Sequence, residues 1–226
     1  MTEKKSDRTA AKKRSEQAVH ELITRIDTHP GDADAYYELA TVLVDLKSFA
    51  QAEELLMKAL GLFQAQPAVV DKLHYGLGNV YYAAEDYPKA IQQFDSLGAQ
   101  WKGTGYLMLA QSYMANGDHK RALAFALTAL ASQPDDVATL QVVGENLLAL
   151  GNMTQAAQYY DQLLAINPKN GRATFDRGLV AMVQGTPYAD YFERAQTLDP
   201  QYFEQGQQRL ADIEKFMQQT PDSDQQ

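Results

Sequence analysis

The chain has 226 residues, with 20 Lys and Arg against 29 Asp and Glu, a formal net charge of −9 and no cysteine. That balance argues against a nucleic-acid binder, because phosphate contacts need clustered basic side chains, and the missing cysteine excludes disulfides, thiolate metal sites and a cysteine nucleophile. No apolar run approaches the roughly 20 residues of a membrane-spanning helix, and the charged start lacks the apolar stretch of a secretory signal, so no membrane insertion and a cytoplasmic location are expected.

Residues 1–16 carry Lys4, Lys5, Arg8, Lys12, Lys13 and Arg14 against Glu3, Asp7 and Glu16, a net +3 that leaves −12 on residues 17–226. A basic segment of this kind can touch an acidic partner or an anionic surface; the plainer expectation is a solvated, frayed or disordered start to a lone helix near residues 8–28. Apolar residues then recur at helical spacing down the chain, in five stretches that each read as two helices around a short turn. These stretches run over about residues 33–64, 71–99, 103–134, 137–168 and 171–200. The turns read Lys47-Ser48, Glu85-Asp86, Asn116-Gly117-Asp118, Leu150-Gly151-Asn152 and Gln184-Gly185-Thr186. Glycine suits the left-handed residue that ends a helix, and Asp or Asn caps the next one. Helices of roughly 12–16 residues are expected throughout, with a shortened one near Tyr188–Leu198. A last helix is expected over 201–219, with Phe203, Leu210, Ile213 and Phe216 or Met217 on one face, followed by a polar, disordered tail at 220–226.

Prolines mark a period. Pro134 and Pro168 are 34 residues apart, Pro168 and Pro200 are 32 apart, and Pro30 and Pro67 are 37 apart. Within the second stretch, Leu77-Gly78-x-x-Tyr81 is followed after eight residues by Ala90-x-x-x-Phe94. The third stretch has Tyr106, Leu109, Ala110, Tyr113, Ala122, Ala129 and Pro134 in the same frame, and the fourth has Leu140, Val143, Gly144, Leu147, Ala156, Tyr160 and Pro168. This grammar resembles the tetratricopeptide (TPR) repeat, a helix–turn–helix of about 34 residues, and the resemblance covers residues 17–219. It implies an all-α fold, a right-handed α-solenoid of about five TPR helix pairs with N- and C-terminal capping helices. The segment 97–103 departs from the pattern, with extra glycine and no closing proline, so an irregular junction is expected there. Trp101, the sole tryptophan, is expected to pack at that junction, with a binding anchor as the rival reading.

Nothing in the chain points to chemistry. His20, His29, His74 and His119 are scattered outside any metal-binding helix motif, and no phosphate loop or nucleophile elbow is present. No catalytic, cofactor-binding or metal-ligating residue is assigned, and the chain is expected not to be an enzyme. Pairs such as Asp135-Asp136 read as helix-start carboxylates.

The resemblance also implies where a ligand would sit, since the first helices of TPR units line a concave groove that takes peptides or partner helices. Carried over by position, the candidates are Tyr37 and Thr41 in the first repeat, Tyr75, Asn79 and Tyr82 in the second, and Leu107, Gln111 and Met114 in the third. By position the fourth offers Ala138, Gln141, Glu145 and Leu148, and the fifth Arg172, Phe175, Leu179 and Met182, of which Gln141, Glu145, Phe175 and Met182 are the binding candidates. Thr41, Asn79, Gln111 and Glu145 occupy the ninth position as a ladder of hydrogen-bonding groups suited to a peptide backbone. The basic clamp by which TPR co-chaperones hold a C-terminal carboxylate is missing, since Tyr37, Thr41, Thr104 and Met108 stand at its positions. The expected function is therefore a non-catalytic scaffold that binds a protein or peptide segment. A dedicated chaperone for a secreted or membrane-inserting client, similar to the small acidic TPR chaperones of bacterial secretion, is a second reading, and self-association into a homo-oligomer is a third.

Overall fold

The computed structural model describes residues 2–219, and among them every regular element is an α-helix. In chain order these are α1 (Thr2–Thr28), α2 (Ala33–Asp45), α3 (Phe49–Leu62), α4 (Pro67–Ala83), α5 (Tyr87–Asp95), α6 (Lys102–Ala115), α7 (His119–Ser132), α8 (Val137–Ala149), α9 (Met153–Ile166), α10 (Gly171–Val183), α11 (Ala189–Leu198) and α12 (Pro200–Gln219). The polar tail expected over residues 220–226 lies outside the described residues, as do the side chains of Lys4, Lys5, Arg8, Lys12, Phe216 and Met217.

The chain divides into two compact units, one through Asn116 and one from Gly117. In the first, consecutive helices pack on one another from α1 to α6, and α2 also meets α4. In the second, α7 to α12 pack consecutively, and α10 meets both α8 and α12. Helix starts follow the side chains. Asp32, Asp86, Asp118, Asp136 and Asn170 each accept a backbone N–H from the first turn of the following helix, which satisfies donors that a helix leaves orphaned. Asp199 does the same for Tyr202 at 3.0 Å. Asp136, read from sequence as a helix-start carboxylate, is thus a cap.

Small residues set the close approaches. A Cβ added at Gly144 would come within 2.6 Å of the Tyr160 ring, and one at Gly78 would collide with Phe94. The repeat motif is therefore a packing device that lets two helices touch at a glycine and fills the flanks with an aromatic.

Three boundaries differ from the sequence expectation, the first being α1, which begins at Thr2 and not near residue 8. Pro67 and Pro200 open α4 and α12 instead of closing the preceding repeats. Proline fits the first helical turn, where its missing N–H has no partner to lose, and α4 starts four residues before the expected position. Helix lengths also spread wider than expected, with α4 at 17 residues and α5 at 9, while α11, at 10, is the shortened helix expected there. The irregular stretch after α5 is anchored by Asp71, whose Oδ1 accepts from the Gly98 N–H at 3.0 Å. Trp101 packs there with its ring 5.3 Å from that of Tyr75.

All five turns inside the repeats place one residue in the left-handed region. Gly117, Gly151 and Gly185 do so freely, but Lys47 (φ 57°) and Glu85 (φ 61°) must bear a Cβ in that conformation. Lys47→Gly and Glu85→Gly are each expected to stabilise the protein by about 1 kcal/mol, measurable as a raised denaturation midpoint. An unchanged or lowered midpoint for both would contradict the strain.

Candidate functional site

In the second unit, side chains from α8, α10 and α12 come together around one buried network and one cleft. Gln141, Glu145 and Leu148 come from α8, Arg172, Phe175, Asp176 and Leu179 from α10, and Tyr202, Arg209, Asp212 and Ile213 from α12. The last set was missed by sequence reasoning, which treated α12 as a cap. Its seating explains the miss. Gly206 of α12 lies against the Phe175 ring, just as Gly76 of α4 lies against the Tyr37 ring, where an added Cβ would stand at 3.2 Å. α12 therefore takes the place of a sixth first helix, with Tyr202, Arg209 and Asp212 at the second, ninth and twelfth positions. A glycine framed by Tyr202 and Arg209 was the available signal. It was obscured because Pro200 starts the helix directly, without the usual loop.

A buried polar network ties these helices together. The Asp176 side chain is fully buried. It accepts from Arg209 at 2.5 Å, from the Tyr202 hydroxyl at 3.1 Å and from Gln141 Nε2 at 2.9 Å. Gln141 Nε2 also donates to Glu145 Oε1 at 2.7 Å, and Arg172 reaches the same oxygen at 2.6 Å. The Arg172 guanidinium lies over the Tyr202 ring, 5.2 Å from its centroid. Burying a charge is costly unless it is paired and hydrogen-bonded, and here each carboxylate meets a guanidinium and a neutral donor.

Burial lifts the Glu145 carboxyl above its ordinary range, with Arg172 and Gln141 opposing and Asp176 adding to the rise. Burial likewise lifts Asp176 against the pull of Arg209 and Tyr202. The Tyr202 hydroxyl is pushed up to about 12 by burial and the Asp176 charge, and Tyr160 is pushed well above its usual value by burial and the same two carboxylates. Both therefore remain neutral hydroxyls. A carboxyl whose folded value is raised costs stability while ionised, and the cost is relieved as pH falls through the raised value toward the unfolded one near ~4. Wild-type protein is expected to gain melting temperature relative to Glu145→Gln as pH is lowered from about 7 to about 5. Paired thermal melts check this, and a gap that stays constant with pH would contradict it.

Beside the network lies an apolar cleft of about 470 Å³. Its walls are Leu148 and Ala149 of α8, Met153 of α9, Leu179 and Val183 of α10 and Ile213 of α12, with Glu145, Asp176, Arg209 and Asp212 along one side. Leu148 is half-buried on the cleft wall, and Leu179 is 2% exposed, reaching the cleft from the core cluster it shares with Phe175 and Met182. Phe175 and Met182 do not stand in the groove. They are 0% and 2% exposed and belong to the core, where Phe203, Leu210 and Ile213 of α12 cover them. The physical reason is again α12, which seals the face that a terminal repeat would otherwise leave open. Gln141 is 7% exposed and serves the network.

In the first unit burial raises the Tyr37 and Tyr75 phenols, and the neighbouring Asn79 amide opposes the rise at both. Lys72 Nζ meets Asp34 Oδ1 at 2.6 Å and lies 4.8 Å from the Tyr37 ring centroid. Tyr82 packs edge-on to Tyr87, 5.7 Å between centroids. Thr41 is exposed and bonds back to the Tyr37 carbonyl at 3.0 Å, so its hydroxyl serves its own helix. Leu107, Gln111 and Met114 are half-buried along α6. Among the described residues no helix is long and apolar enough to cross a membrane, and no group of three or more His, Asp and Glu is placed to hold a metal ion.

Comparison with known proteins agrees with this architecture. Family models described as tetratricopeptide repeat match residues 33–66 and 104–136 and residues 144–203, together more than half of the chain. The chain belongs to the tetratricopeptide-repeat family. Members of this family are generally non-catalytic modules for protein–protein interaction. No curated protein matches the chain in sequence. Among solved structures, PilF of Pseudomonas aeruginosa superposes with a TM-score of 0.71 at 20% identity, over 88% of this chain and 92% of its own. YrrB, described as a TPR protein with an unusual peptide-binding site, gives 0.60 at 20% identity over 80% and 93%. MamA gives 0.62 at 17% identity over 72% and 95%. At such identities the likeness is one of fold. The TPR frame accounts for the glycine–aromatic contacts.

Proposed function

We propose that the chain is a protein–protein interaction scaffold that holds a partner segment at its concave positions, with the α8–α10–α12 cleft as the principal seat. The observation that carries this reading is an open apolar cleft at the positions where TPR helices meet their ligands. Its walls are rigid helices, and its floor is tied down by the Asp176 network. Concave, mostly apolar sites with a few fixed polar groups are the usual form of a binding site. The Tyr37, Tyr75 and Asn79 cluster, with Tyr82, Leu107, Gln111 and Met114, supplies a second, more polar set of contacts in the first unit. Aromatic rings and amide groups of this kind suit peptide recognition, and YrrB is a family precedent for a peptide ligand.

The test is Val183→Glu. Val183 is 40% exposed, so a carboxylate there should leave folding intact while charging the cleft. Capture of the native partner, crosslinked and purified from the source cell, is expected to fall at least about tenfold, since an unpaired buried charge costs more than the contact it replaces. Asn79→Ala with Gln111→Ala tests the first unit in the same assay. Undiminished capture by both variants, at wild-type helicity, would remove the concave face as the binding surface.

A further inference from the structure

The charges around the cleft narrow what it can hold, and this inference rests on the scaffold reading above. The cleft volume of about 470 Å³ lies within the roughly 300–1,000 Å³ that ligand pockets occupy, and its walls are aliphatic on α8, α10 and α12. Three of the four charged groups along it are already paired with an opposite charge, Arg209 while half-exposed. Glu145 is held by Arg172 at 2.6 Å, with 12% of its side chain exposed. Asp176 is fully buried and paired with Arg209, whose guanidinium also lies 5.5 Å from the Phe175 ring centroid. Asp212 is different. It is exposed, and its contact is an acceptance at 2.8 Å from Gln208, four residues away on the same helix face. Such an exposed side-chain bond exchanges readily for a better donor. The open charge at the mouth of the cleft is therefore negative, on a chain whose net charge is −9.

We propose that the cleft binds a segment of another protein that inserts large apolar side chains between Leu148, Leu179, Val183 and Ile213 and sets a neighbouring lysine or arginine against Asp212. An acidic segment would meet Asp212 with a like charge, and it would find Arg209 neutralised by Asp176. A purely apolar segment would leave the mouth unused. The aliphatic walls give affinity, and the carboxylate gives sign selection, which is how charge commonly serves an interface.

The experiment uses the full chain. Random dodecapeptides displayed on phage are selected on wild-type protein after depletion on Val183→Glu. Selected peptides are then synthesised and titrated by fluorescence anisotropy at low salt against wild type and Asp212→Lys. The expected peptides combine large apolar residues with a nearby Lys or Arg, and Asp212→Lys weakens them by about fivefold or more, the effect of turning one exposed ion pair into a repulsion. Replacing the peptide's cation by Glu restores binding to Asp212→Lys. Selected peptides without a basic preference, or indifferent to Asp212→Lys, would overturn the ligand class and leave the scaffold reading standing. Failure to find any peptide or partner that distinguishes wild type from Val183→Glu would overturn both. Sedimentation showing a dimer that Val183→Glu converts to monomer would replace the partner segment by a second copy of the chain, and it would also overturn the proposal.

Discussion

Asp176→Ala is expected to lower the stability of the second unit by about 3–5 kcal/mol, the usual cost of removing one member of a buried ion pair. The carboxylate is fully buried, and its loss takes the buried partner from the Tyr202 hydroxyl and the Arg209 guanidinium and one of two acceptors from Gln141 Nε2, which keeps Glu145. Arg209, half-exposed, can turn to water. The damage should be local, because stability in a repeat array is a sum over neighbouring interfaces. Hydrogen exchange is the measurement of choice. Amides of α12 should lose protection first, while those of α2 to α4 keep theirs. The double variant Asp176→Leu with Arg209→Met should recover much of the loss, since replacing both charges by apolar groups of similar volume is often neutral or stabilising. Asp176→Ala that leaves α12 protection unchanged would show that the network does not hold that helix.

Phe175→Ala is expected to cost about 3–5 kcal/mol, the range for truncating a fully buried aromatic. Its ring lies 5.5 Å from Phe192, 5.7 Å from Tyr202 and 5.6 Å from Phe203, and Gly206 of α12 rests directly on it. Phe175→Leu, which keeps most of the volume, should cost no more than about 1.5 kcal/mol. Chemical denaturation followed by circular dichroism separates the two variants. The outcome also decides between two places for this residue. A groove residue would lose ligand without loss of stability, whereas a core residue loses stability first. A Phe175→Ala protein as stable as wild type would return it to the groove.

The repeat architecture was readable in advance because each TPR helix pair is specified by short-range features. Gly78 with Phe94 and Gly144 with Tyr160 sit at fixed spacing, and Asp86, Asp118 and Asn170 cap helices within three residues of themselves. Turn positions followed from Gly117, Gly151 and Gly185, and even Lys47 and Glu85 were located by the period, although neither residue type favours that conformation. The candidate site was only partly visible. Positional carry-over offered Tyr37, Tyr75 and Asn79 as candidates, because a position on one helix depends only on that helix's phase. Phe175, Met182 and Gln141 were misplaced because burial of a helix face depends on what lies opposite: α12 packs over Phe175 and Met182, and Asp176 of α10 faces Gln141. Arg209, Asp212 and Ile213 were missed for the same reason.

What the sequence alone determined is the local and periodic part of this protein. It specified the helical phase, the glycine–aromatic contacts, the caps and turns, and membership of a family whose members bind other proteins. All of these are encoded within about 34 residues, by hydrophobic spacing and backbone sterics that act over one or two turns. Only the tertiary structure decided that α12 is a further first helix and not a lid. Only it decided that Asp176 is a buried hub shared by α8, α10 and α12, and that the apolar cleft opens beside an uncommitted Asp212. Those outcomes depend on which faces meet across residues 26 to 35 apart in the chain. A buried carboxylate and an exposed one look alike in sequence, and they differ only in what the fold places around them.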